Sequence, residues 1–451
     1  MLKVTFCAYD SPGDFSGPTV WLRRLLPALR NHDIEPRCLF LTWNGIGPTV
    51  VALRAQGFDC QATPCSGFTP DRVHWLLDHL RENSPDVFVP NHVVPGYYAA
   101  RWVKSAGIET VGVLYSDDGL YRGIQEQFIL GSRHNRISAV VCVSQHLQQQ
   151  VLGSEPPATT SFCIPCGVPL PVVPGKIQRD GLEQLRSAHA VVDEAVNVAV
   201  PFRRRAFLDG TPLRLSYVGR LVEEAKQVSA LARAFCRAVR EVENTEAVIY
   251  GSGPAHSSVT RILAEERRGL PVRLIGRFQG NIQERLLEAD VIVLLSDYEG
   301  LPIALLEAMA CGCVPVCLRT HSGIPELIED GVTGLLVDDR GDSFVNAIRR
   351  LRNEPGLWQR LSQAARTKIE NGYSIQTCAR QWAELLHSLH DNCGLKRPIY
   401  IPRRIKLPSP HPSFRGQDPR PCPPPFPVRF YRRSRIFAGR IRRQLLGQPI
   451  P

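Results

Sequence analysis

What this sequence lacks narrows its class. None of its apolar runs reaches the roughly eighteen residues of a membrane-spanning helix. The longest, Ile303 to Leu318, is broken by Glu307 and carries Gly and Pro. The start, Met1-Leu2-Lys3-Val4-Thr5-Phe6, leads straight into a strand-like run, without the apolar core and small-residue cleavage site of a secretory signal. A cytoplasmic, reducing location is the resulting expectation. The 14 cysteines agree with it: their spacings are irregular, and Cys7, Cys142 and Cys317 sit in apolar runs, where a free thiol acts as a small hydrophobe. Cys163 and Cys166 have C-x-x-C spacing, but no second pair or nearby C-x-x-H completes four zinc ligands.

Acids are nearly missing from the last 58 residues, which hold 14 Lys and Arg against Asp418 alone. The rest of the chain carries 40 basic and 42 acidic residues, so the net charge of +11 belongs to the tail and says nothing about a site in the body. The tail's prolines, from Pro398 to Pro427, exclude regular structure and predict a disordered or polyproline segment beyond Gly394. Arg429 to Leu446 then reads as a basic helix, with Phe430, Ile436, Phe437, Ile441, Leu445 and Leu446 among seven arginines. Such a helix suits an anionic lipid surface. No nucleic-acid-binding motif accompanies the arginines.

The body, too long for one ordinary core, alternates strands and helices. Val4 to Ala8 reads as a strand, and Thr19 to Arg30 as a helix that Pro27 would kink. Further strands fall at Arg37 to Thr42, Asp86 to Val89, Thr110 to Leu114 and Ser138 to Val143, with helices at Asp71 to Asn83 and Gly96 to Ala106. The style repeats from Leu213 to Val337, and Asp342 to Leu351, Trp358 to Asn371 and Ile375 to His387 are helical. Strands separated by such helices imply an α/β chain with parallel sheets. The weakly periodic stretch Pro171 to Asp209 reads as the inter-domain region.

Chemistry concentrates in Ser296-Asp297-Tyr298-Glu299-Gly300-Leu301-Pro302, which follows a strand and opens a helix with Pro302 placed as its first residue. Amides at such a helix start receive anions and hydroxyls. Glu299 lies at the loop tip. Glu307 lies in a helix apolar nearly all round, so its carboxylate needs a partner. A carboxylate accepts two hydrogen bonds side by side, which suits a sugar's vicinal diol. In Tyr217-Val218-Gly219-Arg220-Leu221, followed by Lys226, a strand ends in Gly and presents two cations able to neutralise a diphosphate. Gly251-Ser252-Gly253-Pro254 is a tight turn after another strand. Ser16-Gly17-Pro18 precedes the first helix and is either a turn or a second source of amides for phosphate.

Together these motifs resemble the retaining GT-B glycosyltransferases of family 4. The family's two glutamates are matched by Glu299 and Glu307 within Glu-Gly-Leu-Pro…Leu-Glu-Ala-Met-Ala-Cys-Gly. The likeness runs on through Val314-Pro315-Val316, Gly323-Ile324-Pro325-Glu326-Leu327-Ile328 and Asp330 to Val337, and takes in Val218-Gly219-Arg220-Leu221 with Lys226. It is looser in the first half, at Gly17, Val143-Ser144 and Ile164-Pro165-Cys166-Gly167-Val168. The resemblance implies two Rossmann-like domains with a donor cleft between them. Residues 1–190 would be the acceptor side, 205–375 the donor side, 376–393 a crossover helix and 394–451 the tail. It implies a nucleotide-sugar donor, a glycan or lipid-linked acceptor, no cofactor and no metal, in keeping with the lack of any Asp-x-Asp. Arg220 and Lys226 would take the diphosphate, Glu307 the ribose, Glu299 the sugar, and Gly300, Leu301, Gly219 and Gly17 would bring backbone close. The histidine common after the strand at Thr110 to Leu114 is replaced by Tyr115-Ser116-Asp117-Asp118, leaving Asp117 as a sugar-side candidate and His92 as an acceptor-side one. Gln227 and Cys166 stand where Gly and Asn are common. A non-catalytic nucleotide-sugar-binding scaffold is the alternative.

Overall fold

The computed structural model describes residues 1–13, 16–153, 159–171, 210–276, 278, 281–391, 393–414 and 416–421. Seven parallel strands, β1 (Leu2–Asp10), β2 (Ile34–Thr42), β3 (Cys60–Pro64), β4 (Val87–Pro90), β5 (Glu109–Leu114), β6 (Ala139–Cys142) and β7 (Thr160–Cys163), form a first sheet in the order β3-β2-β1-β4-β5-β6-β7. Six more, β8 (Leu213–Val218), β9 (Thr245–Tyr250), β10 (Val272–Gly276), β11 (Val291–Leu294), β12 (Val314–Leu318) and β13 (Leu335–Val337), form a second in the order β10-β9-β8-β11-β12-β13. The central strands β4, β6, β11 and β12 are buried along their whole length. Helices covering both faces of a parallel sheet produce such burial, which is why these strands read as unbroken apolar runs.

Helices alternate with the strands. The first half holds α1 (Gly17–Leu29), α2 (Pro48–Ala55), α3 (Thr69–Glu82), α4 (Val94–Ser105), α5 (Gly119–Ile124) and α6 (Gln145–Leu152). The second holds α7 (Val228–Glu241), α8 (His256–Glu266), α9 (Ile282–Glu288), α10 (Ile303–Ala310), α11 (Ile324–Leu327), α12 (Asp342–Asn353), α13 (Leu357–Gly372) and α14 (Ile375–Asp391). Pro27 does not break α1: it sits in the last turn, and the chain continues as a 3-10 turn over Arg30–His32. Among the described residues no helix is long and apolar enough to cross a membrane.

Both sheets reverse their strand order once, between β1 and β4 and between β8 and β11. Loops leaving the carboxyl ends of strands at such a switch point frame the usual crevice of an open parallel sheet. The last helix, α14, ties the halves together. Its Trp382 is fully buried, with its ring 5.5 Å from Trp21 and 6.3 Å from Phe6. The Val168 amide donates to the Tyr373 carbonyl and the Ile375 amide to that of Val168, both at 2.9 Å. A Cβ on Gly167 would lie 2.6 Å from Cys378 Cβ and 2.7 Å from Ile375 Cα, so a side chain there would push α14 away.

The first part of the tail departs from the disorder expected beyond Gly394. Ile399 and Phe414 are buried, and Ile401, Ile405 and Leu407 pack partly against the first domain. The Phe414 ring stacks on Phe128 at 6.1 Å. Lys396 pairs with Asp86, and the Arg397 amide donates to the Ala106 carbonyl at 2.9 Å. Asp418 accepts from the Tyr98 hydroxyl at 2.9 Å and from Arg420 Nε and Nη2. The Thr69 amide at the start of α3 donates to Pro419 at 2.8 Å. Proline prevents regular hydrogen bonding but not packing, so apolar side chains at intervals hold an irregular strap. Most of the inter-domain region and the basic helix expected at Arg429 to Leu446 lie outside the described residues.

Candidate functional site

The β8–β11 switch point gathers the motif residues. The loop after β11 is moored to the loop after β8 by the Asp297 amide, which donates to the Ala225 carbonyl at 2.8 Å, and by Gln227 Nε2, which donates to Asp297 Oδ2 at 2.8 Å. This brings Lys226 Nζ onto Glu299 Oε1 as an ion pair that is largely buried on the glutamate side. Gln227 has a left-handed backbone, φ 47°, and caps α7. That geometry costs a side chain and costs Gly nothing, which explains why Gly is common there in the resembled family.

Neighbouring glycines let loops pack rather than open space. A Cβ on Gly219 would meet the Tyr217 hydroxyl at 2.8 Å, and that hydroxyl donates to the Arg220 carbonyl at 3.0 Å. A Cβ on Gly253 would meet the Leu221 carbonyl at 2.5 Å, so the Gly251–Gly253 turn supports the Arg220 loop from behind. Arg220 itself is exposed, and its charge acts on Tyr121 of the first domain and on Tyr217. Burial, then the charge of Glu299, holds the Tyr217 phenol above its ordinary range.

Glu307 finds its partner across the domain interface. Arg24 Nη2 on α1 donates to Glu307 Oε1, and Glu307 is only 5% exposed. Gly17, at the head of α1, faces α10: a Cβ there would lie 3.3 Å from Ile303 Cδ1. Pro302 caps α10 instead of opening it, because its ψ of 109° is extended; lacking an N–H, it adds nothing to the amides of Gly300 and Leu301. Gly300 packs so closely on the Tyr115 carbonyl that a Cβ would collide with it. Glu326 of α11 accepts from the Gln145 and His146 amides at 2.9 and 2.7 Å, placing a carboxylate at the positive end of α6.

Asp117 lies on the loop after β5, opposite the loop that carries Glu299. Burial, then the charges of Glu224, Asp118 and Asp117, raises the Tyr298 phenol above its ordinary value. Asp118 caps α5 by accepting from the Leu120 and Tyr121 amides at 2.9 and 3.3 Å, and burial raises its carboxyl. His92 follows β4 with a left-handed φ of 48°. Its ring lies 5.6 Å from Tyr9 and 6.4 Å from Tyr115, on the first domain's side of the site.

Residues 212–354 match the family described as glycosyl transferases group 1. That match spans the second domain, from β8 to the end of α12. The amylovoran biosynthesis glycosyltransferase AmsK of Erwinia amylovora is 37% identical over 188 residues, 40% of this chain and 45% of that protein. The putative colanic acid biosynthesis glycosyltransferase WcaL of Escherichia coli is 30% identical over 231 residues, 48% of this chain and 54% of that protein. The chain thus aligns with about half the length of these curated relatives. Over 86% of this chain the fold is that of Anabaena HepE in complex with UDP-glucose, with a TM-score of 0.63 at 18% identity and all of that chain covered. Together with the two parallel sheets, this makes the fold GT-B.

The structure brings together Lys226, Glu299, Gly300 and Leu301, with Arg220 exposed beside them and Glu307 reached from Gly17's helix. Sequence reasoning missed Arg24, Tyr115 and Glu326. Arg24 was within reach: an acid in an apolar helix demands a cation, and α1 follows the Gly17 loop. Tyr115 and Glu326 carry no such signal, since each acts through backbone contacts that only the assembled domains create.

Proposed function

We propose that the chain transfers a hexosyl group from a nucleotide-diphosphate sugar to a glycan or lipid-linked acceptor, with retention of configuration and without a metal ion. The observation that carries this reading is the meeting of Lys226 and Glu299 at the β8–β11 switch point. Lys226 and Arg220 set two cations where a diphosphate departs, and charge neutralisation is strongest in a cleft poor in water. A diphosphate that takes Lys226 frees Glu299 for hydroxyls of the donor sugar. Glu307, held by Arg24, accepts the two hydroxyls of a ribose. The acceptor oxygen attacks the sugar carbon as its bond to phosphate breaks, and the leaving phosphate, on the same face, takes the acceptor's proton. The names of AmsK and WcaL support a saccharide-building role, and the UDP-glucose complex of HepE supports the donor class.

The test incubates the full chain in EDTA with UDP-, GDP- and ADP-sugars and a panel of glycan acceptors, and reads nucleotide release and the anomeric coupling of the product by NMR. Transfer with retained configuration is expected. Inverted product, or release only after magnesium is restored, contradicts the corresponding part of the reading.

The same proposal places the protein on the cytoplasmic face of an anionic membrane. The strap brings the chain to Thr69, at the edge where Trp43, Ile46 and Phe68 are exposed. Beyond it, residues 421–451 hold seven arginines and no acid. Flotation on vesicles rich in phosphatidylglycerol should be lost when the chain ends after Pro421, a cut that leaves the strap intact. Equal flotation of both forms contradicts docking through the tail.

A further inference from the structure

The second switch point, between β1 and β4, holds a group of buried polar side chains that the donor chemistry leaves unused. Tyr9 lies near the end of β1, Trp43 follows β2, Arg72 sits in the first turn of α3 and Asn91 follows β4. All four lie at the carboxyl edge of neighbouring strands. Tyr9 is 6% exposed, Arg72 5% and Asn91 fully buried. The Tyr9 hydroxyl, Asn91 Nδ2, and Arg72 Nε and Nη1 have no hydrogen-bond partner among the described residues. Native proteins satisfy nearly all such groups, and each one left alone costs about 1–3 kcal/mol.

The cluster is continuous with the donor site. The Tyr9 ring lies 6.0 Å from Trp43, whose ring lies under the Arg72 guanidinium at 5.3 Å. On the other side Tyr115 donates its hydroxyl to Asn91 Oδ1 at 2.7 Å, and the Tyr115 carbonyl packs against Gly300. Arg72 uses Nη2 to bind the Cys65 and Gly67 carbonyls at 2.7 and 3.2 Å, but makes no ion pair among the described residues. The nearby acids are committed elsewhere: Asp10 Oδ2 accepts from the Val50 amide at 3.1 Å, and Asp418 is neutralised by Arg420. In Tyr9, Asn91 and Arg72 the groups without a partner among the described residues can all donate, and one carries a full positive charge. Their complement is rich in acceptor oxygens and negative.

We propose that Tyr9, Asn91 and Arg72, roofed by Trp43, form an acceptor subsite for an anionic oxygen group, the carboxylate of a sugar acid or a phosphate ester. The inference rests on the donor reading above only in calling the ligand an acceptor. Entry displaces the Trp43 ring, which shields the donors from water and stands next to a turn with two left-handed residues, Asn44 (φ 59°) and Gly45 (φ 112°).

The test is isothermal calorimetry on the full chain, first titrated with UDP to occupy the cations of the donor site, then with glucuronate, inorganic phosphate or glucose. Saturable binding of glucuronate or phosphate, with glucose silent, is the expected result, and the tighter anion identifies the source. Arg72→Gln should weaken that binding about tenfold or more, the size of a lost charge-assisted hydrogen bond. Arg72→Gln also removes ties to the 65–67 loop, so Tyr9→Phe is the decisive variant. It deletes only a hydroxyl without a partner, leaves folding unharmed, and should still weaken the anion several-fold. Anions that fail to bind wild type, glucose that binds as well as glucuronate, or Tyr9→Phe that binds like wild type overturns the proposal. Silent titrations with each of UDP, GDP and ADP, beside an anion signal that Tyr9→Phe weakens, would instead sink the donor reading and leave the subsite standing.

Discussion

At the β8–β11 edge the buried carboxylates Glu299 and Glu307 pair with the cations Lys226 and Arg24, whereas at the β1–β4 edge Tyr9, Asn91 and Arg72 keep donors that have no partner among the described residues. Paired charges are kept in shape without a ligand, and a ligand bearing its own charge exchanges with one member of the pair. Unpaired buried donors cost free energy that a ligand rich in acceptor oxygens offsets. The first arrangement suits a substrate bound and released every turnover with its charge changing. The second suits recognition of one chemical group.

Tyr115 touches Gly300 between the two edges, and α14 fastens the halves that carry them. Trp382→Ala should cost about 3–5 kcal/mol, the usual size for a large buried ring. Chemical denaturation measures it, and a loss below about 1 kcal/mol would show that α14 does not fasten the halves. Within the charged edge, Lys226→Ala should lower kcat by about 10²- to 10³-fold, as loss of a group stabilising departing charge does. A change confined to KM would reassign Lys226 to binding alone. Glu307→Gln keeps shape and removes charge. It should weaken nucleotide binding about tenfold in calorimetry, and unchanged affinity would remove the ribose role.

The strap offers the smallest effect. Burial pushes the Asp86 carboxyl up, but the hydrogen bond and charge of Lys396 and the Lys3 amide outweigh it, so its pKa lies below the ordinary carboxylate value. A depressed pKa contributes stability above the unfolded value, near about 3.9, and that stability is lost as pH falls through the folded value. Protection of the Arg397 amide, measured against its intrinsic exchange rate at each pH, should therefore fall between pH 5 and acid conditions. Lys396→Ala should remove most of this pH dependence, and an identical profile in wild type and variant would show that the pair does not hold the strap.

The two edges also differ in how much of them can be read from the sequence. The donor edge is written in contiguous loops, Val218 to Lys226 and Ser296 to Glu307, where glycines, cations and acids stand at fixed spacing behind a strand. The other edge is spread over single residues at 9, 43, 72, 91 and 115, each following a different strand or starting a different helix. None is unusual where it stands, and only the sheet order brings them together. Long apolar strands and amphipathic helices were legible because burial imposes their period. Short elements such as α2, β3, α6 and α9 were not, since tertiary packing fixes them rather than local pattern. After β5 the sequence points to Asp117 as the polar side chain near the sugar, while Asp118, just before Gly119, caps α5. The tail misled because proline content reports on hydrogen bonding, while Ile399 and Phe414 decide whether the chain packs.

One titration bears most directly on the paired-charge edge as a donor site: UDP, GDP and ADP into the full chain, in EDTA, with Lys226→Ala and Arg220→Ala beside wild type. Saturable binding of one nucleotide without metal, weakened in both variants, is the expected result. Binding by none of the three to folded wild type, or binding that both variants keep, would contradict it.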